Sequence, residues 1–307
     1  MNRRNQSRRG FLFALALNVA CGPAADTPSS ASPVADAAAS PLEIEVYTSP
    51  EPLGAVNSTI VMGRTDALVI DAQYTKTGAT AVADTIEQSG RTLRTIFITH
   101  AHPDHYFGAA VLTERFPEAE VVAVPSVVEA MRATAAAKAE SQQGQLGPEF
   151  PGTPVIPQPL SGDTLTLEGH TLQILAGLQG DTEPVTGVLI PDNQTVVLSD
   201  VLFSGVHVWT ADSTHDSRVA WMEQLTELEQ LPDVTRFIPG HQQPDAAQSQ
   251  AALDYTRTYL GRFDEVATGA AASGPIIEAM TAAYPDAGGA FFLQLGSKVA
   301  SGEMQWQ

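Results

Sequence analysis

The chain has 307 residues and a formal net charge of −19, from 16 lysines and arginines against 35 aspartates and glutamates. A negative field of this size repels phosphate backbones, which argues against a nucleic-acid-binding protein. The single cysteine excludes an internal disulfide. No apolar run reaches the roughly 18–20 residues that a membrane-spanning helix needs, while 43% apolar residues are enough to build a sizeable core.

The first 20 residues have the layout of an export signal and not of a folded segment. A basic start precedes a mostly apolar stretch, Gly10–Ala20, which is too short to cross a bilayer. The segment Ser7-Arg8-Arg9-Gly10-Phe11-Leu12 resembles a twin-arginine signal, which implies export of an already folded protein. We therefore predict an exported protein, either periplasmic or anchored on the outer side of the inner membrane or on the outer membrane.

Cys21 stands directly after the apolar stretch, in Leu17-Asn18-Val19-Ala20-Cys21. This resembles a bacterial lipoprotein cleavage box, in which the cysteine is acylated and becomes the first mature residue, although Asn18 replaces the usual aliphatic residue. The alternative is ordinary cleavage nearby. Residues 21–41 are rich in proline, alanine and serine and predict a flexible tether. A lipid anchor is then the only expected membrane contact, and residues 42–307 form the folded domain.

Short or alternating apolar runs predict strands in the folded part, and apolar residues at helical spacing predict helices. The first block has strands at 43–47, 58–62, 67–71, 95–99 and 120–124, with helices at 77–88, 106–116 and 127–142. A loop at 143–162 contains five prolines and is long enough to cover a site. The second block has strands at 164–167, 171–175, 187–190, 195–198 and 236–238, a helix at 217–231 with Asp216 as its N-cap, and a helical tail.

Both blocks lead from strands into helices, and the connections between them are too short for separate domains. Two sheets packed face to face, with helices outside, satisfy this pattern. We therefore predict a single α+β domain with a helical C-terminal part.

The most informative stretch follows the strand at 95–99 and contains His100, His102, Asp104 and His105. Imidazole and carboxylate groups suit zinc or a similar divalent metal. The exit from the strand fixes the first two candidates, and the turn at Pro103 redirects the next pair, so that one segment can serve two metals. Such density in a chain with seven histidines favours a metal site over structural histidines.

This His-x-His-x-Asp-His pattern after an apolar strand resembles the metallo-β-lactamase superfamily. Further landmarks match in order and spacing: Asp71 ends an early strand, Asp200 follows a later one, and His241 follows a short strand in Phe-Ile-Pro-Gly-His. The resemblance covers nearly all of residues 42–259. It implies a four-layer αββα sandwich with two metal sites, the second of them formed by Asp104, His105, Asp200 and His241.

The resemblance departs at one ligand of the first site. The family usually supplies a third histidine from a Gly-His-Thr turn, and the matching turn here is Gly180-Asp181-Thr182. In one interpretation Asp181 joins His100 and His102, and Asp200 bridges both metals. Gln179 is an alternative ligand, although its amide oxygen is neutral and weaker. In the other interpretation Asp181 points away and only the second site is filled.

We favour two metals because every other ligand is kept. Zinc is the expected ion; manganese and iron remain alternatives because an additional carboxylate hardens the site. The resemblance implies a hydrolase that attacks an ester, lactone, thioester or amide, including β-lactams, with a metal-activated water. Asp104 and Asp200 have the catalytic roles, Asp104 by orienting the water or accepting its proton. Asp71, Gln179 and His207 are candidates for supporting a ligand or contacting the substrate.

Cations are scarce near these motifs, which bears on the substrate. The lysines are Lys76, Lys138 and Lys298, none of them beside a motif in the sequence, and Gln242 follows the last ligand histidine. Sites for carboxylates or phosphates generally use arginine or lysine. We therefore expect a small-molecule substrate that is not strongly anionic. The alternative function is a non-catalytic binding lipoprotein with the same fold and one structural metal, and the sequence leaves the oligomeric state open.

Overall fold

The computed structural model describes residues 40–50 and 54–306. The predicted signal peptide, Cys21 and nearly all of the tether lie outside the described residues. In the described part, no helix has the length and apolar character needed to cross a bilayer.

The N-terminal half forms a six-stranded sheet in the order β1-β2-β3-β4-β5-β6. The strands β1, β2 and β3 pair antiparallel, and the pairings from β3 to β6 are parallel. Neighbouring parallel strands have their carboxyl ends at the same edge of the sheet. At that edge the backbone N–H of Asp71, just after β3, donates to the carbonyl of Phe97, the last residue of β4, at 2.9 Å. The strands are β1 (Glu43–Thr48), β2 (Asn57–Met62), β3 (Asp66–Ile70), β4 (Thr92–Phe97), β5 (Glu120–Ala123) and β6 (Gln158–Pro159).

Helices α1 (Lys76–Gln88), α2 (Pro103–Tyr106), α3 (Ala109–Arg115) and α4 (Pro125–Leu146) belong to this half. The single helix predicted at 106–116 is wrong, because the chain forms α2 and α3 with a break at Gly108. A β-carbon on Gly108 would lie 1.9 Å from the carbonyl oxygen of Ala72, so only glycine allows this close approach. The break leaves the Asp104–His105 pair in its own short turn, separate from α3.

The proline-rich segment at 143–162 does not form a loop throughout, as the sequence had suggested. Helix α4 continues to Leu146, and β6 pairs with β5 at the sheet edge. Between them, the carboxylate of Glu149 accepts hydrogen bonds from the backbone N–H and hydroxyl of Thr77 at 3.0 and 2.9 Å. The segment is therefore tied to the start of α1.

The C-terminal half forms a five-stranded sheet in the order β11-β10-β9-β8-β7. Its pairings are antiparallel except for the parallel pair β10 and β11. Every residue of β10 is buried, as expected for a strand between two neighbours that is covered on both faces. The strands are β7 (Thr164–Leu167), β8 (His170–Leu178), β9 (Val185–Ile190), β10 (Thr195–Ser204) and β11 (Arg236–Gln242).

Helices α5 (His215–Leu228), α6 (Gln250–Ala267), α7 (Ser273–Ala283) and α8 (Ala290–Ala300) complete this half. The N-cap of α5 is Thr214 and not the predicted Asp216, because Thr214 and Ser217 exchange hydrogen bonds between side chain and backbone in a capping box. Trp221 is fully buried, and its indole N–H donates to the carbonyl of Val201 at 2.9 Å.

The two sheets with their covering helices form the α+β sandwich predicted from the sequence. One apolar cluster combines residues of both sheets, among them Ile60, Leu68 and Val188, and a second cluster packs β10 and β11 against helices of the C-terminal half. An antiparallel bridge between Val56 and His241 links the start of β2 to the end of β11. The end of β11 therefore lies beside the start of β2 at one edge of the sandwich, which is where the candidate site lies.

Candidate metal centre

Two groups of histidines and aspartates meet at this edge. His100, His102, Asp181 and Asp200 each offer one ligand atom, and these atoms all lie within 4.8 Å of one another. We call this group the first site. Asp104, His105 and His241 meet the same criterion, and we call them the second site.

Asp200 lies between the two sites. Its Oδ2 is 3.6 Å from His100 Nε2 on one side. On the other side its Oδ1 is 3.1 Å from His105 Nε2, and its Oδ2 is 3.3 Å from His241 Nε2. The structure thus brings together all seven residues that the sequence singled out as ligands, with Asp200 between the two groups.

Three histidines are held at one ring nitrogen so that the other faces the cluster. His100 Nδ1 lies 2.9 Å from Thr99 Oγ1, and its buried Nε2 has no hydrogen-bond partner in the described part of the chain. His105 Nδ1 lies 2.8 Å from Asp71 Oδ2, and His241 Nδ1 lies 2.7 Å from the carbonyl of Gly54. Such contacts fix the ring orientation and tautomer of a metal ligand.

Asp71 is the buried support behind His105. Besides the contact with His105, its carboxylate accepts hydrogen bonds from the backbone N–H and hydroxyl of Thr99 and from the hydroxyl of Ser199 at 2.9 Å. Asp71 and Ser199 both adopt left-handed backbone conformations, with φ of 62° and 47°. Non-glycine residues rarely adopt this region, so the hydrogen-bond network compensates local strain close to the site.

Two glycines let the backbone approach Asp200. A β-carbon on Gly240, just before His241, would lie 1.9 Å from Asp200 Oδ1, and one on Gly180 would lie 2.7 Å from the carbonyl oxygen of Asp200. The backbone N–H of Asp181 donates to that same carbonyl at 3.1 Å. The Pro-Gly-His and Gly-Asp-Thr turns therefore use glycine so that β10 can present Asp200 between them.

Asp181, the residue in place of the usual histidine, faces into the first site. Its side chain is 1% exposed, and Oδ2 lies 2.9 Å from His102 Nδ1. Neither carboxylate oxygen makes a hydrogen bond of good geometry with any described residue. Burial raises the pKa of Asp181 to about 7, although the neighbouring His102 opposes this shift. Burial makes the ionised carboxylate of Asp181 costly, and a bound cation would stabilise it.

Gln179, the alternative ligand, points elsewhere. Its backbone N–H and carbonyl pair with the side-chain amide of Gln224 on α5 at 2.9 and 2.8 Å, and its own side-chain amide donates to the carbonyl of Gly180. The structure therefore brings Asp181, and not Gln179, to His102.

The charges of the second site are strongly linked to one another. Burial alone would lower the pKa of His241, but Asp200 and Asp104 outweigh it and raise that pKa to about 10. The pKa of His105 is raised in the same way, against burial, by Asp200, Asp104 and Asp71. Conversely, burial would raise the pKa of Asp104 and Asp200, yet the two histidines hold both below the ordinary aspartate value. Protons and a divalent cation would therefore compete for the same ring nitrogens and carboxylate oxygens.

The donor set fits divalent metal ions. Imidazole nitrogens and carboxylate oxygens are the ligands of zinc and similar metals. Several of these atoms are buried and lack a hydrogen-bond partner of good geometry among the described residues, which is otherwise costly. They are His100 Nε2, both carboxylate oxygens of Asp181 and Asp200 Oδ1.

The comparison with known families agrees with this geometry. The model of the metallo-beta-lactamase superfamily matches residues 52–241. The chain belongs to this superfamily. Membership, together with the clustered ligands, supports a metal-binding hydrolase, and it confirms the family and the sandwich fold expected from the sequence.

Curated relatives and solved structures point to the same superfamily. The chain is 26% identical over 166 residues to a hydroxyacylglutathione hydrolase of Synechococcus sp., and 30% identical over 183 residues to hydroxyacylglutathione hydrolase 1 of Vibrio vulnificus. These matches cover 54% and 60% of this chain and 56% and 60% of the relatives. Each therefore spans only somewhat more than half of the relative's length.

Two solved structures illustrate the shared fold. A beta-lactamase domain protein from Burkholderia ambifaria is 16% identical with a TM-score of 0.58, and the match covers 84% of both chains. A metallo-beta-lactamase family protein from Thermus thermophilus is 17% identical with a TM-score of 0.59, and the match covers 84% of this chain and 91% of the other. At these identities the likeness concerns the fold alone.

Two charged residues beside the superfamily's metal-binding segment were missed in the sequence. Asp212 Oδ2 lies 3.7 Å from His102 Nε2 and accepts a hydrogen bond from the indole of Trp209 at 2.6 Å. Lys138 Nζ donates to the carbonyl of Ala101 at 2.7 Å, so a lysine does lie beside the motif in space. The spacing Trp-x-x-Asp after β10 was a possible signal for Asp212. Lys138 lies well along α4, and no local pattern in the sequence shows that this part of the helix returns to Ala101.

His207 is one of the residues that the sequence offered for supporting a ligand or contacting the substrate. It is 3% exposed, so it is not a surface loop residue. Its Nδ1 lies 3.0 Å from the hydroxyl of Tyr259 on α6, and not beside the superfamily ligands. The left-handed turn at Gly205, with φ of 71°, directs the chain after β10 into the apolar cluster of the C-terminal half.

Proposed function

We propose that the chain is a two-metal hydrolase that uses a water molecule to cleave an ester, lactone, thioester or amide bond. The observation that carries the proposal is a group of buried ligand atoms in the first site that have no hydrogen bond of good geometry among the described residues. These atoms lie close to Asp200, which also faces the second site. His100, His102 and Asp181 would hold one ion, and Asp104, His105 and His241 the other. Zinc is the proposed metal, with manganese or iron as alternatives.

The chain's own residues divide the work. Divalent cations held by these ligands would supply an activated water and would polarise the carbonyl of the substrate. Asp71 and the Gly54 carbonyl keep His105 and His241 facing inward. Asp104 is the carboxylate of the second site that is open to solvent, with a side chain 25% exposed, and its Oδ2 lies 3.3 Å from His241 Nε2. This position suits it to orient the attacking water or to accept its proton.

We propose a substrate that is not strongly anionic at the reacting end. Lys138 is the lysine placed near the site, and it faces the field of Asp212, Asp104 and Asp181 while donating to the carbonyl of Ala101. The three carboxylates around it would repel an anionic group that approached this lysine. Two relatives are named for hydroxyacylglutathione hydrolysis, which makes this compound one candidate to test.

The test is turnover by the zinc-loaded protein against neutral esters, lactones, β-lactams and hydroxyacylglutathione, with metal content measured on the same sample. We expect two metals per chain and hydrolysis of at least one neutral class. Asp104→Asn should lose activity by about a hundredfold or more, the scale of general acid–base catalysis. The control is Asp254→Asn, which changes a carboxylate on α6 that is 62% exposed. One tightly bound metal and no turnover would instead support the non-catalytic binding protein.

We also propose that the protein is exported through its paired arginines and anchored by lipid at Cys21. The support is the sequence of residues 1–41 alone. Arg8→Lys combined with Arg9→Lys should leave the protein in the cytoplasm, and normal export would contradict the twin-arginine signal. Cys21→Ser should release the mature protein from membranes, and a variant that still fractionates with membranes would contradict the anchor.

A further inference from the structure

Aromatic side chains from two separate segments meet beside the metal centre. Trp209, in the loop after β10, has its ring centroid 5.4 Å from Phe292, 6.2 Å from Phe291 and 5.3 Å from Trp306. The two phenylalanines lie at the start of α8, and Trp306 lies beyond its end. We call these four residues the aromatic cluster.

The aromatic cluster reaches from the metal ligands to solvent. At its base, the ring of Phe292 lies 5.2 Å from that of His241 in the second site. At its middle, the ring of Trp209 lies 6.5 Å from that of His102 in the first site. At its outer end, Phe291 and Trp306 are 46% and 41% exposed. Phe292 is only 4% exposed, so the accessible part of the cluster is formed by Trp209, Phe291 and Trp306. This apolar surface begins beside His102 of the first site and continues outward.

The exposure of the outer rings is unusual in this molecule. Among the described residues, three large apolar side chains are exposed: Phe291, Trp306 and Val219. Two of these three belong to the aromatic cluster, while Val219 lies on α5. Exposed aromatic surface that is continuous with a polar site is typical of a ligand pocket.

Backbone contacts hold the aromatic cluster in place. The backbone N–H of His207 donates to the carbonyl of Gly288 at 2.8 Å, next to a bridge between Val206 and Gly288, so the loop after β10 is fixed to the start of α8. After α8, the carboxylate of Glu303 accepts hydrogen bonds from the N–H and hydroxyl of Ser273 at 2.9 and 2.6 Å. Both ends of α8 are thus secured, which pre-orders the rings for binding.

Charge restricts what these rings can bind. Asp212 pairs with the indole of Trp209, and its side chain is 26% exposed. Asp104 is exposed to a similar extent at the second site. An anionic group on the rings would be repelled by Asp212, whereas an uncharged alkyl or aryl group gains from burial against them.

We propose that the aromatic cluster binds an uncharged apolar acyl or aryl group of the substrate, next to the bond that is cleaved. This inference rests on the proposed hydrolase function and specifies the substrate class. Each methylene that the rings cover should increase kcat/KM by up to roughly fourfold, the equivalent of its transfer from water.

The first experiment compares hydrolysis of methyl acetate, methyl butyrate and methyl hexanoate by the zinc-loaded full chain, followed by acid release. We expect kcat/KM to rise with acyl length. Phe291→Ala and Trp306→Ala should each lower kcat/KM for methyl hexanoate by about tenfold, mainly through KM, and change methyl acetate less than about twofold. The matched control is Val219→Ala, an exposed apolar residue outside the cluster, which should keep the wild-type dependence on length.

The second experiment measures binding without hydrolysis, so that failure of the proposed hydrolase is distinguishable. Hexan-1-ol should shift the tryptophan emission of the zinc-loaded chain at lower concentration than ethanol does, and Phe291→Ala should weaken this response while Val219→Ala should not. An equal response to the two alcohols would overturn the proposal even if esters are hydrolysed. It would also be overturned if Phe291→Ala changed the oligomeric state or vesicle binding and left the chain-length dependence intact, because the rings would then serve a protein or membrane contact.

Discussion

The two halves of the metal centre differ in how their ligands are supported. In the second site, His105 is held by Asp71, which itself has three further hydrogen-bond donors from Thr99 and Ser199. His241 is held by the carbonyl of Gly54. These rings are pre-oriented by buried scaffold groups before any metal binds.

The first site has less support of this kind. His102 is 15% exposed, and the nearest group to its outer nitrogen is Asp212 at 3.7 Å. Asp181 has no hydrogen bond of good geometry to its carboxylate within the described residues, and burial raises its pKa to about 7. Buried neighbouring groups therefore set the orientation of the second site's ligands, whereas metal binding at the first site depends more on the charge of Asp181. Changes at the two positions should have different signatures.

The largest effect is expected from removing the support of the second site. Asp71→Asn replaces one of the two acceptor oxygens with an NH₂ group. This group is a hydrogen-bond donor and would face the donors that already surround the side chain. Metal affinity of the second site should fall by about 10- to 100-fold, the usual range for such supporting contacts. Titration with a competing chelator measures both affinities.

The first site should be weakened less in that titration, because Asp71 reaches His100 indirectly, through the hydroxyl of Thr99. The matched control is Asp66→Asn, at the other end of β3, where the carboxylate pairs with Arg94 near the surface. Equal weakening of both sites by Asp71→Asn would contradict the comparison.

A smaller effect of the opposite selectivity is expected at Asp212. At 3.7 Å from His102 Nε2, its carboxylate acts through charge and not through a hydrogen bond. Asp212→Asn should therefore weaken only the first site, by less than about tenfold, below the range for direct supports. The same chelator titration measures it, and a loss confined to the second site would show that His102 belongs to a different ion.

The smallest effect concerns stability without metal. Asp181 has a pKa in the folded protein above its ordinary value of 3.8, so the folded state binds the proton more tightly and loses stability as pH rises through this range to about 7. In chelated protein, Asp181→Asn should raise Tm by a few degrees, where 1 kcal/mol corresponds to about 2–4 °C. The increase should be larger at pH 8 than at pH 5. An increase that is largest at pH 5 would contradict the raised pKa of this buried carboxylate.

Local sequence signals predicted the parts of the fold and site that depend on neighbouring residues. The dense segment from His100 to His105 follows directly from the end of β4, and the apolar runs of β9 and β10 place Asp181 and Asp200. Asp71 could be found because it follows a recognisable strand. His241 could be found because a short apolar run precedes it, although β11 continues through His241 to Gln242. The structure brings these residues together as the superfamily order implies.

Other features were missed because they arise from contacts between distant segments. The break between α2 and α3 results from the approach of Gly108 to Ala72, and the support at His241 comes from a carbonyl of Gly54. Lys138 reaches Ala101 across 37 positions of the chain. A single sequence contains the residues for such contacts but not their pairing.

The aromatic cluster shows the same limit. No local pattern pairs Trp209 with the rings of α8 and Trp306, which lie far along the chain in the predicted helical tail. Their convergence depends on how α8 docks against the loop after β10.

The most direct test of the two-metal account is elemental analysis of purified protein for Asp181→Ala, Asp181→His and Gln179→Ala. We expect two metals per chain in the wild type, one in Asp181→Ala with the second site still filled, and two in Asp181→His, which restores the imidazole usual in the superfamily. Gln179→Ala should keep both, since its amide is tied to Gly180. Two metals in Asp181→Ala together with one in Gln179→Ala would show that Gln179 is the ligand. A single metal in the wild type, unchanged by either substitution, would show that the first site does not bind metal.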